Sequence, residues 1–481
     1  MQKRLGLRMT LVVGLCFLFV LTPMLARSSV TAAPPEFTVL EYAYGSEGNE
    51  IAYAVIEVSS GGFVIAGHTQ GPPSYDTYLY VVRTDAEGAL LWEYTREAPG
   101  VAVGSDIIEC HDGGFAITGF YQIPPSYGDM LLVKLNANGQ FDWEHTYGDN
   151  DAAEWAFAVV QLETGGFVLA GSVSGDSGNM DMFLVGTNEL GNQLWEQQYG
   201  GPDTDEARAI ILTRDGNLAI AGRYGGYGSG GGQMWLMITN TAGYNLLDVV
   251  YPEFENSWAY AIVECVNGDL ALAGSTWSFS PYDWDYALLR TNIAGDVQWA
   301  YSYERETYDY CYSLVETSEG DFVLAGYTNY FDLLLIGTDA DGNKQWEFSY
   351  GDYFTAYALS IVNCRTGGFA ITGGKSELYL SFDIWLLRLF VETPSIEGLI
   401  EDVETLETDG LLNQGQTNSL VQKLEVALQL QEQGQLTAAC NLLQSFIEQV
   451  EAYLSAGILT EMDAQPLIEY ATTLINEICQ A

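Results

Sequence analysis

Basic residues are scarce in this 481-residue chain: 17 Lys plus Arg stand against 64 Asp plus Glu, a formal net charge of −47. Four of the basic residues, Lys3, Arg4, Arg8 and Arg27, lie in the first 33 positions, so the remainder carries 13 against 64 and a net charge near −51. Such a surface repels nucleic acid and anionic lipid. It favours basic partners or divalent cations, Ca2+ among them, yet no motif specifies a calcium site or any other cofactor. Histidine is nearly absent. His68, His111 and His145 share no strand or turn, so neither a metal cluster nor a Ser/His/Asp set is suggested. There is no CxxC pair and no phosphate loop. After residue 20 no apolar run is long enough to span a membrane, which leaves no span in the mature chain.

Residues 1–33 have the layout of an export signal. Lys3, Arg4 and Arg8 precede an apolar run from Met9 to Val20, and small residues follow at Val30, Thr31 and Ala32. Retention of this segment as an anchor is the alternative. Export implies a secreted or cell-surface protein.

What the chain has in abundance is repetition. "GGFVIAGHT" at residues 61–69 returns six times, with inner glycines at Gly67, Gly119, Gly171, Gly222, Gly274, Gly326 and Gly373. A near-constant period of this size defines a repeat architecture. Each unit holds four short β-rich runs separated by turn residues, as in "VGSDIIEC", "GFAITGFY", "DMLLVKLN" and "QFDWEHTY". Four antiparallel strands repeated seven times predict a seven-bladed β-propeller over residues 36–391. The seventh unit stops after "DIWLLRLF", residues 383–390. Its missing strand matches "FTVLEYAYG" near the start, so residues 37–44 are expected to complete the last blade.

Along each first strand small residues such as Ala52 and Ala54 alternate with large ones such as Tyr53. Period two assigns these to opposite faces, and the large set reads as packing between neighbouring blades. The recurrent Trp92, Trp143, Trp195, Trp299 and Trp346 read as inter-blade packing. Asp129, Asp181, Asp285, Asp332 and Asp383 read as structural acceptors. Cys110, Cys265, Cys311 and Cys364 read as small buried residues. The pattern GGF-apolar-AG, then D-apolar-L-apolar, then N-x-x-G-x-x-x-W-x-x-x-Y-G resembles the secreted propeller repeats of archaeal and bacterial surface proteins. That resemblance implies a fold and an extracellular place, and no single activity.

From residue 395 glycine and aromatics give way to Leu, Gln and Glu, with apolar residues at helical spacing. Gly410, Gly434 and Gly457 punctuate four predicted helices over 395–481, and "TEMD" at 460–463 has the form of a capping box with Asp in the Glu position. "LIEDVETLETDGLLNQGQTNSLVQKLEVAL" followed by "FIEQVEAYLSAGIL" resembles the FIMAH domain of exported prokaryotic proteins, which implies an accessory role with no catalytic residues. If its third and fourth helices run antiparallel, Cys440 and Cys479 stand level, and a disulfide between them is expected in an oxidising compartment.

Candidate site residues concentrate on the fourth and fifth repeats. Glu206 and Arg208 occupy first-strand positions that are aromatic or aliphatic in most other repeats, and Gln233 replaces the recurrent Asp. Trp277, Tyr282 and Trp284 lie in or beside a loop on the rim that also carries Asp203 and Asp205. Aromatics beside carboxylates suit a sugar, a peptide or a cation. The first reading is a non-enzymatic binding protein for an extracellular protein or glycan. Two rivals stay open: an extracellular carbohydrate-active lyase or hydrolase using rim carboxylates, and a structural component of the cell envelope. The two functional readings separate on close paired acids in a deep pocket, which an enzyme needs and a binding module does not.

Overall fold

The computed structural model describes residues 35, 37–45, 48–70, 76–96, 99–124, 127–148, 152–174, 179–225, 231–254, 256–278, 283–305, 307–328, 332–351, 356–376, 382–390, 395–408 and 410–480. Seven four-stranded antiparallel sheets succeed one another along the chain. In six of them the strands pair in sequence order. The seventh is completed from the other end of the propeller, because Thr38–Tyr44 pairs with Asp383–Phe390 in a register that sets Thr38 opposite Phe390 and Tyr44 opposite Ile384. The protein is therefore a seven-bladed β-propeller closed by its N-terminal strand, followed by a helical unit.

Hydrophobic cores lie between blades rather than within them. Val64, Leu79 and Val81 of blade one meet Ile107, Ile117 and Leu131 of blade two, and equivalent clusters recur around the ring. The recurrent tryptophans take part. A Cβ added to Gly139, Gly191, Gly243 or Gly342 would overlap Trp92, Trp143, Trp195 or Trp299 of the preceding blade. In these four hairpins the closing glycine thus lets the hairpin settle on the neighbour's indole, while Gly88 and Gly295 settle on Tyr42 and on Leu247 with Val249. The hairpins also take left-handed φ values, 75° at Gly139 and 80° at Gly342. Asp339 accepts the amides of Asp341 and Asn343 at 3.1 and 2.8 Å, the hydrogen bonding of a turn rather than of a calcium loop.

Two further bonds join blades at regular intervals. A tyrosine ending a fourth strand donates to the carbonyl of the next blade's hairpin glycine: Tyr147 to Gly191 at 2.7 Å and Tyr303 to Gly342 at 2.9 Å. At the hairpins joining first to second strands, a carboxylate ending a first strand accepts an amide from the preceding blade's hairpin, as Glu109 does from Ser59 at 2.6 Å and Glu316 from Val266 at 2.7 Å. Cys110, Cys265, Cys311 and Cys364 are buried free thiols. Asp285 is buried and accepts the Arg305 amide at 3.2 Å.

The C-terminal unit consists of α1 (Ile396–Thr408), α2 (Gln414–Glu432), α3 (Leu436–Ser455) and α4 (Glu461–Gln480). Leu399, Val403, Leu424, Phe446, Val450 and Leu474 share one core. Gly410, Gly434 and Gly457 adopt φ of 76°, 71° and 66° at helix ends. Asp463 accepts the Thr460 amide at 3.0 Å, one half of a capping box, and Asn413 with Gln416 forms a complete box at α2. No described helix is long and apolar enough to cross a membrane.

Candidate functional site: the axial cavity

Every first strand carries one extra residue. Its pairing with the second strand skips a position between Ala52 and Ala54, Gly104 and Asp106, Ala156 and Ala158, and Ala207 and Ala209. The same shift follows at Ala259/Ala261, Cys311/Ser313 and Ala358/Ser360. A bulge of this kind breaks the two-residue alternation and re-aims one side chain. The bulged residues are Tyr53, Ser105, Phe157, Arg208, Tyr260, Tyr312 and Leu359, and all seven line a single cavity of about 630 Å³ that is walled by every first strand. The large residues expected to pack between blades therefore converge on the axis instead.

The bulge also accounts for the inner glycines. A Cβ on Gly67, Gly119, Gly171, Gly222, Gly274, Gly326 or Gly373 would overlap a carbonyl oxygen of the partner strand, that of Glu206 in the case of Gly222. Here close approach, not φ, demands glycine.

The small alternating residues Ala52, Ala156, Ala207, Ala259 and Ala358 are buried, as expected. In three blades the next position after the bulge caps a neighbour. Ser360 accepts the Val55 amide at 3.3 Å, Ser313 that of Ile361 at 3.2 Å, and Asp106 that of Val159 at 2.9 Å. Asp106 also accepts the Ile107 amide at 2.8 Å. Burial pushes its carboxyl up to about 6 against these two bonds.

The cavity wall is largely aromatic, and the one basic side chain lining it, Arg208, is held by an acid beside the wall. The Tyr260 and Tyr312 ring centres are 4.8 Å apart, and Phe120 stacks on Trp155 at 5.6 Å. Tyr53 stacks on His68 at 5.7 Å, and burial pulls the His68 imidazole down to about 4, so it is neutral at physiological pH. Arg208 donates to Glu206 at 2.6 Å, with both side chains partly exposed. The guanidinium carbon stands 4.1 Å from the Phe157 ring centre and 5.7 Å from that of Tyr260, the bulged residues of the two flanking blades.

Of the residues singled out in the sequence, Arg208 lines this cavity and Glu206 pairs with it without lining the cavity itself. Trp277 and Trp284 form a second group 5.5 Å apart, and Trp284 stacks at 5.2 Å on Trp258, which the Arg223 guanidinium covers at 4.9 Å. Arg223 is the strand partner of Glu206, so this group adjoins the axial wall. Gln233 begins the third strand of blade four opposite Tyr224. Asp203 is exposed in the loop before blade four, whereas Asp205 is buried, and its carboxylate accepts the Gly201 and Gly225 amides at 2.5 and 2.6 Å. Tyr282 lies outside the described residues. Cys440 is buried on α3, while the Cys479 side chain lies outside the described residues. Phe157, Tyr260, Tyr312, His68 and Asp106 were not marked as site residues by the sequence. The signal that could have done so is the invariant inner glycine, which marks a strand opposite a bulge. Among the described residues no group of three or more His, Cys, Asp or Glu side chains could hold a metal ion.

The architecture is that of a seven-bladed propeller joined to a helical domain. Residues 396–476 match the FIMAH domain family. No curated protein matches the chain. Among solved structures it is similar to a protein of unknown function from Dyadobacter fermentans, with 10% identity over 74% of this chain and 99% of that one and a TM-score of 0.39. It is also similar to the Pan2 WD40 domain of Neurospora crassa, with 11% identity over 73% and 95% and a TM-score of 0.45. A third is the alpha-L-arabinofuranosidase of Fusarium graminearum solved with arabinobiose, with 10% identity over 73% and 98% and a TM-score of 0.45. Likenesses this distant carry no argument about activity.

Proposed function

We propose that the protein is a secreted or cell-surface binding protein whose axial cavity holds an uncharged glycan. The observation that supports this most is the Arg208 guanidinium set in a wall of Phe157, Tyr260 and Tyr312 and paired from behind the wall with Glu206. Sugar rings present C–H faces that pack on aromatic faces. Their hydroxyls both donate and accept, which suits a carboxylate beside a guanidinium. The acidic surface disfavours a polyanion. The FIMAH domain and the export-like N-terminal segment fit an extracellular place, with the helical unit as accessory module. The carbohydrate-active enzyme is the weaker reading. Asp106 is the raised carboxyl of the cavity, yet it serves the same capping slot as Ser313 and Ser360. A glycan array probed with the secreted protein tests the proposal. Retention of one class of neutral oligosaccharide is expected. Retention of none, or turnover of the arrayed sugar, overturns it.

A further inference from the structure

The seam where the ring closes leaves one blade junction unlike the others. At every other junction a hairpin glycine of the following blade settles on a fourth-strand side chain of the preceding blade, a tryptophan in four cases, as Gly342 does on Trp299. Trp346 of blade six has no such cover, because blade seven takes its fourth strand from the start of the chain and so has no third-to-fourth-strand hairpin. Phe37, just ahead of that strand, meets Trp346 in a T-shaped contact with ring centres 5.5 Å apart, and meets Phe369 at 6.3 Å. Between them lies a cavity of about 410 Å³, with Glu319 and Asp321 of the blade-six hairpin in its wall.

Blades two and five carry an acid at one of these two positions and neutralise it from within. In blade two Lys134 pairs with Asp112, the counterpart of Glu319, at 2.9 Å. In blade five Arg290 pairs with Asp269, the counterpart of Asp321, at 3.2 Å. Arg83 and Arg388 reach the same hairpin slot in blades one and seven, through Ser60 and Thr366. Blade six has both acids and puts Gly337 at the basic position, with the Trp346 indole lying where a side chain would go. Among the described residues no Lys or Arg pairs with Glu319 or Asp321. Burial, and the nearby Asp339 carboxylate, push the Asp321 carboxyl up from its usual range, the direction expected of an acid without a cation.

We propose that this seam cavity binds a small organic cation, an alkylated ammonium group seated against Trp346 and Phe37 and held by Asp321 and Glu319. Aromatic faces attract a cation through their quadrupole, and a carboxylate at the mouth supplies the remaining charge. A hydrated metal ion would be held off the aromatic floor by its water shell, and a neutral apolar molecule would gain nothing from the acids. The site is distinct from the axial cavity, since the two share no lining residue.

Calorimetric titration of the full secreted chain with choline chloride tests this, with 3,3-dimethyl-1-butanol as the neutral isostere. Saturable one-site binding of choline is expected, at least tenfold tighter than the isostere and not displaced by an equal concentration of potassium. Asp321→Asn should weaken it about tenfold, and Glu319→Gln, at an exposed position, should weaken it less. Choline methyl protons should show intermolecular NOEs to one tryptophan, lost in Trp346→Leu. Equal affinity for the isostere, diffuse binding that any cation competes away, or unchanged affinity in Asp321→Asn would each overturn the proposal.

Discussion

The Tyr44 hydroxyl donates to the carbonyl of Gly88 at 2.6 Å, joining the strand that completes the last blade to a hairpin of the first. It is the same bond that Tyr147 makes to Gly191, spanning 44 residues in each case, so the seam of the ring is stapled like an internal junction. Removing the hydroxyl leaves a buried carbonyl with less hydrogen bonding. Tyr44→Phe should cost about 1–2 kcal/mol, whereas Tyr308→Phe, at an exposed ring, should cost little. Deleting residues 34–45 should go further and expose the edge of Asp383–Phe390, with aggregation or a large drop in melting temperature. An unchanged melting curve for the deletion would refute closure by this strand.

Glycine at the inner position is required by the bulge rather than by backbone conformation. Gly171→Ala forces a methyl against the Trp155 carbonyl and should cost about 3 kcal/mol or prevent folding. Gly216→Ala, in open space but at φ 81°, should cost only about 1–2 kcal/mol. Denaturant unfolding of both variants checks the order, and equal losses would show that φ alone matters.

The ring, its number of blades and its closure were legible because Gly67 and its six counterparts keep an even spacing, and because the seventh unit visibly lacks a strand. Gly410 and Gly434 marked helix ends for a similarly local reason. The axial cavity was not legible. Ala52, Tyr53 and Ala54 read as simple alternation, and nothing local to those three residues reveals that one is extra to the pairing. Tyr53, Phe157 and Tyr260 were therefore assigned to blade packing. Glu206 and Arg208 stood out because charge at an otherwise aromatic position is visible without knowing which way it points. The seam cavity needed both the missing hairpin and Gly337, and these become related only when the ring is closed.

Arg305 links two buried acids: its amide donates to Asp285 of blade five at 3.2 Å and its guanidinium stands 3.6 Å from Asp309 of blade six, with Asp283 near enough to act on both carboxyls. Burial pushes both carboxyls up to about 6. Their unfolded values lie near the usual ~3.9. Between about pH 4 and pH 6 the folded state thus holds protons that the unfolded state has released, and stability falls as pH rises through that window. Asp285→Asn mimics the protonated form. Its stability relative to the unsubstituted protein should improve from pH 4 to pH 7 in paired melting curves. A difference that stays constant with pH would contradict the assignment.

The disulfide proposed between Cys440 and Cys479 would link α3 to α4, which are joined by the turn at Gly457. It would close a loop of about 40 residues and add roughly 3–4 kcal/mol in the loop-entropy picture. Non-reducing peptide mapping of protein produced in an oxidising compartment should recover both cysteines in one linked fragment. Two free thiols would refute it.

The central claim is that the axial cavity binds a glycan through its aromatic wall and the Glu206–Arg208 pair. The most direct test is calorimetric titration of the array-selected oligosaccharide into the unsubstituted protein and into Tyr260→Ala and Arg208→Gln, with folding of each verified by its melting curve. The account predicts one site per chain and a loss of about 1–2 kcal/mol, roughly five- to thirtyfold in affinity, for each variant. Folded variants that bind as tightly as the unsubstituted protein would contradict it.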